Sequence, residues 1–124
     1  MSQNHQEYLA ILQNQCVCYL ILKQFDSIIA TSIRILNIVN NLKSKIVEFG
    51  ENKKTKNTPS KEELNRIAIV TLMRRAEAYL KTEQIYNAKG DLEKAAELEK
   101  AAQVPPEKQV AHRKLEDLKK AIGN

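Results

Sequence analysis

Tryptophan is absent from this chain of 124 residues, and Tyr and Phe together supply only 5% of it. Any core must be filled by aliphatic and small side chains rather than by rings. Glycine and proline number three each. That is too few to punctuate a fold of short strands and turns, so long uninterrupted helices are expected. The two cysteines, Cys16 and Cys18, stand two apart. On a helix they point about 200° away from each other, which disfavours a shared metal or a bridge. Cys16 reads as a small core residue and Cys18 as an inert one. No apolar run approaches the roughly 20 residues of a membrane span. The opening MSQNHQEY lacks the basic and then greasy pattern of a secretory signal, so a cytoplasmic location is expected.

Chemistry-bearing patterns are equally scarce. His5 and His112 are far apart, and His112 precedes Arg113 on the polar side of the last helix. No glycine-rich phosphate loop, zinc-ligand spacing or nucleophile motif occurs. The expectation is a non-catalytic protein with no cofactor and no metal. The formal charge is +5 and the pI about 9.2, which raises nucleic acid as a partner. The excess is local, however. Lys43, Lys45, Lys53, Lys54, Lys56 and Lys61 crowd one central stretch, with no aromatic interleaving of the kind a single-strand binder uses. A solvated basic loop centred on Lys53, Lys54 and Lys56 is the preferred reading, and nucleic-acid binding through it the lesser one.

Apolar spacing predicts five helices. The first covers 4–23, with Tyr8, Leu12, Cys16 and Tyr19, joined by Ile11 and Leu20, on its buried stripe. The second covers 25–48, burying Ile28, Ile35, Leu36, Val39 and Leu42. Residues 50–59, GENKKTKNTP, combine turn formers and like charges with no apolar residue, and form a loop. Pro59 and Ser60, with Glu63 three later, predict a capped start for a third helix over 61–81. A fourth covers 84–101, with Ala88, Leu92, Ala95 and Leu98 inward. Gly90 costs it about 1 kcal/mol relative to Ala, a cost attributed to a site with no room for a larger side chain. After Val104-Pro105-Pro106, a fifth helix covers 106–122 with a stripe of Ala111, Leu115, Leu118 and Ile122. Gly123 ends it, and an ion pair of Glu116 with Lys120 supports its surface.

The first two helices and the next two share one pattern. Leu12, Cys16, Tyr19, Phe25, Ile28, Ser32 and Ile35 are repeated, 60 residues on, by Leu72, Ala76, Tyr79, Ile85, Ala88, Leu92 and Ala95. Such self-similarity marks helical-hairpin repeats. In "LMRRAEAYLKTEQIYNAKGDLEKAAEL" a large apolar residue, a small one a turn later and a Tyr precede a bend. After it come small, apolar and small residues. This resembles the tetratricopeptide repeat (TPR) family. "LQNQCVCYLILKQFDSIIATSIRILNI" is similar but puts Ile28 and Ile35 where the family has small residues.

The resemblance covers most of the chain. It implies an all-α, right-handed superhelical stack of two extended TPR hairpins and a C-terminal capping helix. The repeats are 9–42 and 69–102, an extended hairpin tip with the basic loop occupies 43–64, and the cap is 106–122. The 60-residue interval exceeds the family's repeat by about 26 residues, and two repeats are fewer than the roughly three such a stack needs. The expectation is therefore either that the chain is a fragment of a longer repeat protein or that its first helix docks onto a subunit that covers it.

The resemblance also implies a concave groove lined by the first helix of each hairpin. In the first unit that is Ala10, Gln13, Asn14, Val17 and Ile21. In the second it is Val70, Met73, Arg74, Glu77 and Lys81. Asn14 and Arg74 match two polar positions with which chaperone-binding relatives hold a peptide's terminal carboxylates. Val70 stands where those relatives have a Lys, so the clamp is incomplete. Val17, Ile21, Val70 and Met73 would instead either floor the groove for a partner helix or extended peptide or pack the first helices of the two hairpins together. The expected function is protein–protein interaction as a structural or scaffold subunit of a larger assembly. The family's assembly factors suggest a ciliary, axonemal or cytoskeletal one. The alternative is an adaptor or co-chaperone that binds a chaperone tail or client peptide.

Overall fold

The computed structural model of the chain describes residues 4–49 and 58–123, and within them all regular structure is helical. The predicted loop with Lys53, Lys54 and Lys56 lies outside the described residues.

Helix α1 (His5–Ile21) opens on Asn4, whose side chain accepts the Glu7 amide at 2.9 Å. Helix α2 spans Phe25–Phe49. Helix α3 (Lys61–Lys81) opens on Ser60, whose Oγ accepts the Glu63 amide at 3.2 Å. A side-chain cap of this kind contributes about 1 kcal/mol. The Glu63 carboxylate pairs with Arg66 at 3.3 Å. Helix α4 is Ile85–Ala101. The predicted fifth helix is divided. A 3-10 turn at Pro106–Lys108 comes first, and α5 proper is Val110–Ile122. Gln109, at φ −81° and ψ 77°, breaks the helix between them.

Each helix packs chiefly on its neighbours in sequence. One cluster joins Leu9, Leu12 and Cys16 of α1 to Ile35, Val39 and Leu42 of α2 and to Leu64, Ile67 and Ala68 of α3. Two further clusters, built on Ala76, Ala88, Leu92, Ala96 and Leu115 and on Leu72, Ala95 and Ala111, join α3, α4 and α5. Alanine at these contacts lets helix backbones approach closely. The repeated pattern holds in the core. Leu12 and Leu72, Cys16 and Ala76, Ile28 and Ala88, Ser32 and Leu92, and Ile35 and Ala95 are all buried. Phe25 is half-buried, and its counterpart Ile85 is exposed.

Three corners share one geometry. After α1, the Lys23 amide donates to the Leu20 carbonyl and the Gln24 amide to that of Tyr19. After α3, Glu83 and Gln84 donate to Leu80 and Tyr79. After α4, Gln103 and Val104 donate to Lys100 and Glu99. This paired closure is the Schellman motif. Lys23, Glu83 and Gln103 occupy its left-handed position, at φ 59°, 62° and 59°, where glycine is the usual residue.

Several sequence expectations are corrected. Tyr8 and Ile11 are exposed, and the buried stripe of α1 is Leu9, Leu12 and Cys16. The helix is turned so that Leu9 meets α2, while the Tyr8 hydroxyl accepts a hydrogen bond from Arg34. Gly90 sits in the open, and a Cβ there would meet nothing within 4 Å. Space therefore does not explain it. Glu116 pairs with Lys119, at 3.7 Å, rather than with Lys120.

Candidate functional site

A cleft of about 510 Å3 opens between α3 and α5 over α4. Its floor is apolar, formed by Val70, Met73, Ala76, Leu80, Leu92 and Leu118, and its rim carries Arg74, Glu77, Lys114 and Asp117. The helical period explains the set. On α3, positions 70, 73, 74, 77 and 80 follow three- and four-residue steps along one face. On α5, Ala111 and Leu115 are buried in the core. Lys114, Asp117 and Leu118 flank that stripe and so border the cleft.

Two polar contacts fix the walls. Arg75, next to Arg74 on α3, turns away from the cleft. Its Nε and Nη2 donate to the Asp91 carboxylate at 2.8 and 2.6 Å, clamping α3 to α4. The bond to Asp91 holds the guanidinium more firmly protonated than usual, against the opposing effect of its burial. The second contact places α5. Glu99 of α4 is buried, and its carboxylate accepts the Ala111 amide at 2.8 Å and the His112 amide at 3.1 Å. Gln109 offers no side-chain cap, so Glu99 satisfies those amides and places negative charge at the positive end of α5.

Arg74 differs from its neighbour. Its Nη1 is buried and has no hydrogen-bond partner. A charged donor left unpaired in the interior is costly. A second recess of about 560 Å3 shares Val70 and Met73 and runs past Ile69 and Val110 to Lys61, Arg66 and Lys108. Together the two form a trough along α3 with an apolar floor and nearly balanced charges on its walls, Glu62 and Glu99 offsetting cations in the second recess.

Of the residues singled out from sequence, Val70, Met73, Arg74 and Glu77 come together in the cleft. Lys81 is exposed on α3 and does not line it. Asn14, Val17 and Ile21 are exposed on α1, again outside its lining, as is Ala10. Gln13 donates to the Leu9 carbonyl within its own helix, at 3.3 Å.

The contribution of α5 went unread in the sequence, as did the roles of Arg75, Asp91 and Glu99. A signal existed for the two acids. Asp91 and Glu99 fall in phase with Ala88, Leu92 and Ala95, and a charge on a buried stripe demands a partner.

Lys43 and Lys61 flank the basic stretch. Burial lowers the Lys43 ammonium from its ordinary value, helped by the positive charges of Lys61 and Lys94. Among the described residues no three His, Cys, Asp or Glu gather to hold a metal ion. No helix there is long and apolar enough to cross a membrane. Comparison with protein-family models, with curated proteins and with solved structures gave no match.

Proposed function

We propose that this chain is a non-catalytic protein-interaction module of tetratricopeptide type, a right-handed stack of two hairpins and a capping helix that serves as a structural or scaffold subunit. The trough along α3 receives a helix or extended segment of a protein partner. The observation that carries this reading is the cleft itself. It combines an apolar floor of Val70, Met73, Leu80, Leu92 and Leu118 with charges of both signs on its rim. That composition suits an amphipathic segment, whose apolar side chains enter while its polar ones stay at the edge.

The test compares proteins co-purifying with the tagged chain and with its Val70→Lys and Arg74→Glu variants, each checked for helicity by circular dichroism. Specific partners should be lost from both variants. An unchanged partner set would remove the cleft from consideration.

The cations Arg74 and Lys114 on the cleft lining favour a second reading, an adaptor that holds the acidic end of a peptide. Fluorescence polarisation with a labelled chaperone-tail peptide separates the two. Binding lost on Arg74→Glu and weakened by salt supports the adaptor.

A further inference from the structure

The cleft between α3 and α5 has a charge order that its apolar floor does not require. The two helices run in the same direction on either side of it. Ala111 of α5 shares a core cluster with Leu72 of α3, and Leu115, four residues on, shares the next cluster with Ala76, also four residues on. In that register Lys114 and Arg74 stand just before the level of Leu115 and Ala76, and Asp117 and Glu77 just after it. Like charge therefore faces like charge across the cleft. Two cations occupy one level and two carboxylates the next, so the sign changes along each wall.

All four side chains line the cleft. Glu77, Lys114 and Asp117 are exposed, and Arg74 is half-buried. Among the described residues none of the four forms an ion pair. The pairs there are Arg66 with Glu63, Arg75 with Asp91 and Lys119 with Glu116. Walls of opposite sign would bridge the cleft and draw it shut over its floor. Walls of equal sign cannot, and each band is complemented by one opposite charge placed between its two members.

We propose that the occupant of the cleft is a helix of a protein partner that carries an acidic and a basic side chain one turn apart. The acid lies between Arg74 and Lys114 and the base between Glu77 and Asp117, beside apolar residues that enter over Val70, Met73 and Leu118. This rests on the reading of the cleft as a partner-binding surface and adds the chemistry of the partner. Spacing selects a helix. Three residues separate the bands on each wall, a rise of about 4.5 Å. Charges three apart on a partner helix reproduce that distance. An extended segment sets successive side chains of one face about 7 Å apart. Arg74 contributes through its charge, since its Nη1 is buried. The exposed Lys114 ammonium is the group that an incoming carboxylate reaches.

Selection from a phage-displayed peptide library, against the immobilised full chain, tests this without any variant. One set of peptides keeps an apolar stripe in a helix-forming background and randomises the other positions. A second set carries a central proline, which prevents a helix. The chain should enrich helical peptides with an acid and a base three or four residues apart, flanking the stripe. The best of these, labelled, is then measured by fluorescence polarisation against the double variant Lys114→Glu, Asp117→Lys. Both positions are exposed and the net charge is unchanged, so one wall is reversed while the fold, checked by circular dichroism, is kept. Affinity should fall about tenfold or more.

Enrichment of no peptide, of proline-containing ones, or of helical ones without the charge pair overturns the proposal. So does an affinity that the reversal leaves unmoved. The reading of the cleft itself fails separately. Peptides that bind a folded Val70→Lys variant as tightly as the unaltered chain occupy some other surface.

Discussion

Arg75 grips Asp91 with two parallel bonds, Nε to Oδ2 and Nη2 to Oδ1, while its guanidinium carbon lies 5.6 Å from the centre of the Tyr79 ring. The side chains are only 18% and 8% exposed, so neither charge can be rehydrated if the other is removed. Asp91→Asn should therefore destabilise the chain by about 3 kcal/mol, measured by urea denaturation. The pair with Arg75→Met and Asp91→Leu together should recover most of that loss, because no unpaired charge remains. A loss under about 1 kcal/mol in the single variant would show that the clamp contributes little.

Gly90 gives the opposite expectation. It lies inside α4, is exposed, and has open space where a Cβ would go. Gly90→Ala should raise stability by about 1 kcal/mol through helix propensity alone. A thermal melt shifted downward would refute the assignment.

Glu99→Ala should free the start of α5. The Ala111 and His112 amides lose their acceptor, and the buried site loses its carboxylate. The expected cost is about 1–2 kcal/mol, by analogy with the loss of a helix cap. Hydrogen exchange should localise it, with faster exchange in α5 and unchanged protection in α1 and α2.

Cys16 and Cys18 should separate by reactivity. Burial pushes the Cys16 thiol above its ordinary 9.0, an effect that Ser32 and Arg74 only partly oppose. A thiol reagent at pH 8 should modify Cys18 at once and Cys16 only on unfolding. The sign for stability follows. The folded value is raised, so the unfolded chain gives up this proton first. The contribution is whole below about pH 9 and fades as pH rises above it. Equal labelling rates for the two thiols would contradict the buried position.

Much of the helix layout was legible from the sequence because it depends on local signals. Ser60, the bend after Leu80 and the apolar period fix the bounds of α3 and α4 to within a residue. The rotation of α1 was not legible, because nearly every residue from 8 to 22 is apolar and no polar face marks the outside. Tyr8 and Leu9 were equally good core candidates by composition, and contact with α2 chose Leu9. The cleft was half legible. Val70, Met73, Arg74 and Glu77 follow from the phase of one helix. Lys114, Asp117 and Leu118 depend on how α5 returns over α3, and that is set by Glu99, a contact spanning more than ten residues.

The corners at Lys23, Glu83 and Gln103 share a backbone path but no side-chain chemistry: one basic residue, one acidic and one neutral. Packing above and below each bend, rather than the residue within it, dictates the path. Such joints are interchangeable. The third corner, leading from α4 into α5, begins like the other two, so one backbone turn serves three different helix junctions.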